Sequence, residues 1–150
     1  MFVYEVKGIR VRYADTDQMG YVYYGNYARY YEIGRVEALR SIGFHYKAME
    51  DEGVMMPVYE NRSRYIQPAR YDDELSIKVT IKSMPKVRIL FDYEIRNQDG
   101  ILLNVGETTL VFQRRDNAKL CVAPDRLLEK LQIYFDRSPM PPVEDIIIKA

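Results

Sequence analysis

Asp15 and Asp17 stand two residues apart at the head of DTDQMGYVYYGNYARYY, a stretch that adds Gly20, Gly25 and a run of tyrosines before it closes at Tyr31. Carboxylates beside flexible backbone and a helix start have a defined chemistry. One can attack, or activate water against, a carbonyl whose oxygen is stabilised by the N–H groups of the helix N-terminus. The tyrosines would wall in an apolar acyl or aryl group. The plainer reading is that both acids cap turns and the tyrosines are core. Spacing alone leaves the two open.

Other chemistries fail on the residues present. A calcium loop built on these acids would find Met19 and Asn26 in its third and last ligand places. A phosphatase aspartyl nucleophile would follow a fully apolar parallel strand, whereas GIRVRY alternates. A Ser or Cys triad, or a zinc site, needs histidine, and the sole His45 lies beyond the helix, where we read a surface or packing residue. The expectation is a carboxylate mechanism with no metal or redox cofactor.

Composition agrees with a globular protein of 150 residues, 47% hydrophobic and 29% charged, long enough to bury about 70% of its unfolded surface. The 22 basic and 22 acidic residues cancel, so no overall field draws nucleic acid or an anionic membrane, and an anionic ligand needs a local patch. Cys121 is read as a buried small hydrophobe. With neither a signal-like leader nor a run long enough to span a membrane, the expected compartment is the cytoplasm.

Around the acids, periodicity lays out the elements. Phe2 to Tyr13 alternates in two phases that slip at Gly8, predicting one bulged strand. Tyr27, Tyr30, Tyr31, Gly34, Ala38, Leu39 and Ile42 recur at helical spacing, with Asn26 as N-cap, Gly43 as terminator and Glu32, Arg35, Glu37 and Arg40 on the wetter side. Gly34 and Ala38 would let this helix lie close to a sheet. A shorter helical piece is expected from His45 to Gly53.

Strands then follow at Met55 to Ile66, broken by Pro57, at Leu75 to Ile81, at Val87 to Ile95, and at Ile101 to Phe112 after an NQDG hairpin turn. Pro124 opens a last amphipathic helix through Phe135. The prediction is one α+β domain over residues 1–137, a curved antiparallel sheet around a long helix, with residues 138–150 as a mobile or partner-bound tail.

The stretch DTDQMGYVYYGNYARYYE resembles the signature of hotdog-fold acyl-CoA thioesterases of the 4-hydroxybenzoyl-CoA thioesterase type, roughly D-x-D-x-x-G-x-V-[YF]-[YH]-x-N-Y. It matches at Asp15, Asp17, Gly20, Val22, Tyr23, Tyr24, Asn26 and Tyr27. YIQPARYDDEL and FDYEIRNQDG also resemble the second and fourth strand regions of that family, extending the similarity from about Tyr4 to Phe135.

The resemblance implies that Asp17 is the catalytic carboxylate, that the backbone N–H of Tyr24 polarises the thioester carbonyl, and that Asp15 shapes the loop. Gly20, Val22, Tyr23, Asn26 and Tyr27 would meet the substrate. Lys86, Arg88 and Lys119 are the candidates for holding the nucleotide end of coenzyme A. It further implies hydrolysis of acyl-CoA to free acid and coenzyme A, and dimers commonly paired into homotetramers with shared sites. An acyl carrier protein could replace coenzyme A. A non-hydrolytic acyl-thioester binding or scaffolding protein on the same fold is the alternative; hotdog dehydratases rely on a catalytic histidine that this stretch lacks.

Overall fold

The computed structural model describes residues 1–136. Its strands are β1 (Phe2–Arg10), β2 (Val54–Met55), β3 (Val58–Tyr65), β4 (Glu74–Ile81), β5 (Arg88–Arg96), β6 (Leu102–Val111) and β7 (Gln113–Arg114), and its helices α1 (Tyr27–Ser41), α2 (Tyr46–Asp51) and α3 (Asp125–Phe135). Five strands form one antiparallel sheet in the order β1-β4-β5-β6-β3, while β2 and β7 pair separately.

Alternation builds the sheet as its sequence dictates. Leu75, Ile77, Val79 and Ile81 of β4 and Ile89, Phe91, Tyr93 and Ile95 of β5 are all buried on one face, each aliphatic residue contributing about 1.5–3 kcal/mol. The opposite face carries ionic pairs such as Lys78–Glu94 and Lys82–Asp92. In β1 the register shifts between Val6 and Ile9, and Gly8 sits at φ +76°, so the bulge lies where the phase slips.

Over the buried face runs α1, packed against β1, β4 and β5 through Tyr27, Tyr30, Tyr31, Gly34, Ala38 and Leu39. Gly34 is a point of close approach: a Cβ there would stand 2.9 Å from Val79 Cγ2 and 3.1 Å from Ile77 Cγ2. Tyr31 stacks flat on Tyr93, with centroids 4.2 Å apart. Its hydroxyl reaches Asn104 and Ser63 across β6, passing over Gly106, where a side chain would collide with the ring. Gly43, at φ +78°, ends the helix as expected.

Three local expectations are corrected. Asn26 does not cap α1 through its side chain, because the 3-10 turn Tyr24–Asn26 runs straight into the helix and leaves Asn26 in helical geometry at φ −75°, ψ −16°. Arg35 is not simply on the wet side, since its Nε is buried. Cys121 is only partly buried, against the edge of the core. The tail expected at 138–150 lies outside the described residues.

Candidate active site

The loop after β1 is tied from three sides. Asp15 is 5% exposed, and its Oδ2 accepts hydrogen bonds from the Arg12 N–H at 2.9 Å and the Tyr30 hydroxyl at 3.2 Å, while Oδ1 pairs with the Arg29 guanidinium. Burial alone would raise this carboxyl, but the Arg12 N–H, the Arg29 charge and the Tyr30 hydroxyl outweigh it and hold Asp15 below the usual carboxylate range. Burial with the adjacent Asp15 charge pushes the Tyr30 phenol up, so it stays a donor. The Asp15 carbonyl accepts from the Tyr23 N–H at 2.9 Å and from the Asn26 side-chain amide at 2.8 Å. Asp15 therefore welds the loop to the start of α1.

Two residues on, Asp17 heads a tight turn. Its carbonyl accepts from the Gly20 N–H at 3.0 Å, its N–H donates to the Tyr21 carbonyl at 2.8 Å, and Gly20 takes φ +76°, which favours glycine. The side chain is pinned as well: Oδ1 accepts from the N–H groups of Met19 at 2.9 Å and Tyr21 at 3.3 Å. Oδ2 has no hydrogen bond among the described residues. One oxygen is thus fixed and the other free.

Beside it opens a cavity of about 260 Å³ lined by Asp17, Met19, Tyr21, Val22, Tyr24, Tyr27 and the run Tyr65 to Pro68. Tyr24 begins the turn that leads into α1, and its N–H is one of the orphan donors of a helix start, with no partner among the described residues. Tyr27, buried, sets its ring edge-on to Tyr65 at 5.3 Å, and the Tyr65 hydroxyl donates to the Tyr24 carbonyl. A carboxylate oxygen, a helix N-terminus and an aromatic wall therefore share one opening. That set can attack a carbonyl and stabilise the resulting oxyanion.

Of the residues picked from sequence, Asp17, Val22, Tyr24 and Tyr27 line this cavity. Gly20 shapes the turn, Tyr23 is a neighbour of Tyr24 with rings 4.7 Å apart, and Asn26 ties the loop from behind. Lys86, Arg88 and Lys119 are elsewhere. Arg88 pairs with Val111 on β6, whereas Tyr65 pairs with Asn104, seven residues away along that strand, or about 23 Å. Lys86 accepts from the Ala123 N–H, and Lys119 from the Arg114 N–H, at the same far end. Arg88 lies over the Tyr59 ring at 4.8 Å.

Sequence reasoning missed Tyr65 to Pro68 as a wall, and Arg29 and Tyr30 as the holders of Asp15. A signal for Arg29 existed. A cation in the first turn of a helix opposes the macrodipole and asks for a nearby carboxylate.

Comparison with known proteins gives the family and the fold. Residues 11–131 match the Thioesterase-like superfamily. The putative acyl-CoA thioesterase YneP of Bacillus subtilis is 38% identical over 96 residues, 64% of this chain and 70% of its own. The acyl-CoA thioester hydrolase YbgC of Escherichia coli is 39% identical over 103 residues, 69% and 77% of the two chains. The DHNA-CoA thioesterase structure from Staphylococcus aureus superposes with a TM-score of 0.79 at 29% identity, covering 92% of this chain and 95% of that one. The chain belongs to the Thioesterase-like superfamily and has the hotdog fold.

Proposed function

We propose that the protein hydrolyses acyl-CoA thioesters to a free acid and coenzyme A, with Asp17 as the catalytic carboxylate. The observation that carries the assignment is the asymmetry of that side chain: Oδ1 is held by two N–H groups, while Oδ2 has no hydrogen bond among the described residues, and Asp17 lines one cavity with Tyr24. The names of YneP and YbgC support the substrate class. A cytoplasmic compartment and chemistry without a metal or redox cofactor are part of the proposal. Among the described residues, no helix is long and apolar enough to cross a membrane.

Two balanced routes use the same atoms. In one, Oδ2 bonds to the thioester carbon, the C–S bond breaks, coenzyme A leaves and takes up a proton, and water cleaves the resulting anhydride to acid and free Asp17. In the other, Asp17 takes a proton from a water that attacks the carbonyl, then passes it to the departing sulfur. In both, the Tyr24 N–H stabilises the oxyanion. Asp17→Asn is expected to lower thiol release from an acyl-CoA panel by roughly 10²–10⁴-fold with the melting temperature retained. Undiminished turnover would refute the role. Heavy-oxygen label on Asp17 after a single turnover would select the anhydride route.

A shared site is part of the proposal. At about 260 Å³ the cavity is smaller than the roughly 300–1,000 Å³ usual for small-molecule sites. It abuts β3, an edge strand of eight residues with mostly exposed side chains. Antiparallel pairing of β3 between two copies would set the Tyr59 and Arg88 end of one against the Tyr65 end of the other. That gives Arg88, Lys86 and Lys119 a route to the nucleotide end of coenzyme A. Sedimentation velocity is expected to give a dimer or tetramer, and a monomer that turns over at full rate would refute the shared site.

A further inference from the structure

The turn that carries Asp17 leans on a neighbouring segment through one exposed arginine. Tyr21 bridges Arg70 across the two backbones, yet among the described residues one backbone hydrogen bond joins residues 17–22 to that segment, from the Val22 N–H to the Ala69 carbonyl at 2.8 Å. The Arg70 guanidinium lies over the Tyr21 ring, 4.9 Å from its centroid, within the range where a cation is attracted to an aromatic face. It has no ion pair or hydrogen bond of its own among the described residues.

Acids are close by in the chain, and each is engaged elsewhere. Asp72 and Glu74 pair with Arg10, while Asp73 accepts from the Arg70 N–H at 2.9 Å and from the Gln98 side-chain amide at 3.1 Å. The backbone of Arg70 is thus fixed and its side chain is left to the ring. Tyr21 in turn is the residue through which the Asp17 turn closes. Its carbonyl accepts from the Asp17 N–H at 2.8 Å, its N–H donates to Asp17 Oδ1 at 3.3 Å, and it lines the Asp17 cavity. That N–H bond is the longer of the two that hold Oδ1, so a loosened Tyr21 gives it up first.

We propose that Arg70 is a positioning residue for the hydrolysis: its guanidinium holds the Tyr21 ring, and through the Tyr21 N–H it keeps the Asp17 carboxylate in one orientation. The catalytic half of this rests on the proposed role of Asp17, whereas the clamp itself does not. A carboxylate free to turn spends less time aligned on the thioester carbon, and that lowers kcat. Binding of the acyl-CoA does not depend on the angle of Asp17, so KM stays constant. A cation over an exposed ring corresponds to about two- to fivefold in rate.

The test compares two variants of the full chain: Arg70→Gln, which removes the charge and keeps most of the stem, and Arg70→Lys, which keeps a cation for the ring. Thiol release from butyryl-CoA and benzoyl-CoA is expected to show kcat about two- to fivefold lower in Arg70→Gln with KM unchanged, and most of that loss recovered in Arg70→Lys. Exchange of the Tyr21 amide hydrogen, read by NMR without substrate, should rise by a similar factor in Arg70→Gln and fall back in Arg70→Lys. Tyr21→Leu supplies a cross-check, since adding Arg70→Gln to it should lower kcat no further. A raised KM at constant kcat would make Arg70 a contact for the anionic carrier and overturn the proposal, as would unchanged exchange or equal losses in the two Arg70 variants. A parent inactive on both substrates overturns the positioning role together with the proposed function; exchange that still responds to Arg70 would then mark that function, and not the clamp, as the failure.

Discussion

Replacing Asp15 with alanine removes the acceptor for three donors while leaving Asp17 in the chain, so it separates the loop's architecture from its chemistry. Arg29 has a side chain 55% exposed, so solvent screens its ion pair to about 1 kcal/mol or less. The Tyr30 hydroxyl and the Arg12 N–H lose a charged acceptor, at about 1–3 kcal/mol each. Water can reach the region of Arg12, which favours the lower end. The expected loss is about 3 kcal/mol, a fall in melting temperature of about 6–12 °C for a chain of this size. Turnover falls too, because the Asp15 carbonyl holds Tyr23 and Asn26 and thereby sets Tyr24.

The pH dependence gives this prediction a sign. The folded-state carboxyl of Asp15 is held below the usual aspartate value of about 3.9, so its stabilisation is fully present above that value. It is lost as pH falls through the folded value. Urea unfolding of the parent and Asp15→Ala should therefore show the full gap at pH 7 and a narrowing gap below about pH 4. A gap under about 0.5 kcal/mol at pH 7, or one that widens as pH falls, would refute the reasoning.

Other substitutions probe the scaffold and the shared site. Gly34→Ala is expected to destabilise, because overpacking against Val79 and Ile77 costs about 1–3 kcal/mol and the gain in helix propensity returns only about 1; a raised melting temperature would contradict it. Tyr31→Phe strips a buried hydroxyl from Asn104 and Ser63 and should cost about 1–3 kcal/mol in urea unfolding, with no effect if that network is idle. Arg88→Glu is expected to raise the KM for acyl-CoA about tenfold or more while leaving kcat nearly constant, since it would remove uniform binding of a phosphate. An unchanged KM would detach Arg88 from the nucleotide.

How far a sequence can be read depends on whether the relevant interaction is periodic. Alternation in β4 and β5, the hairpin after β5 and the slip at Gly8 are local patterns, and each matches the structure. Gly34 was legible for the same reason, since a small residue on an apolar helix face has few uses besides close approach. Asn26 misled because its type suits a cap, whereas capping needs extended backbone and the preceding 3-10 turn denies it; the amide turned to the Asp15 carbonyl instead.

The site divides along the same line. Asp17 and Tyr24 sit in one continuous motif, so their meeting was legible, but Tyr65 to Pro68 join them only once β3 has run the length of the sheet and turned back. Arg35 is the sharper case. Helical periodicity places it beside the buried ridge of Tyr27 and Tyr31, and its charge suggested water; what buried its Nε is the packing of α2 and β5, which set Tyr46 and Tyr93 near it. A charge on a helix flank is therefore decided by what the next element lays over it, and here that is two phenols beside the guanidinium.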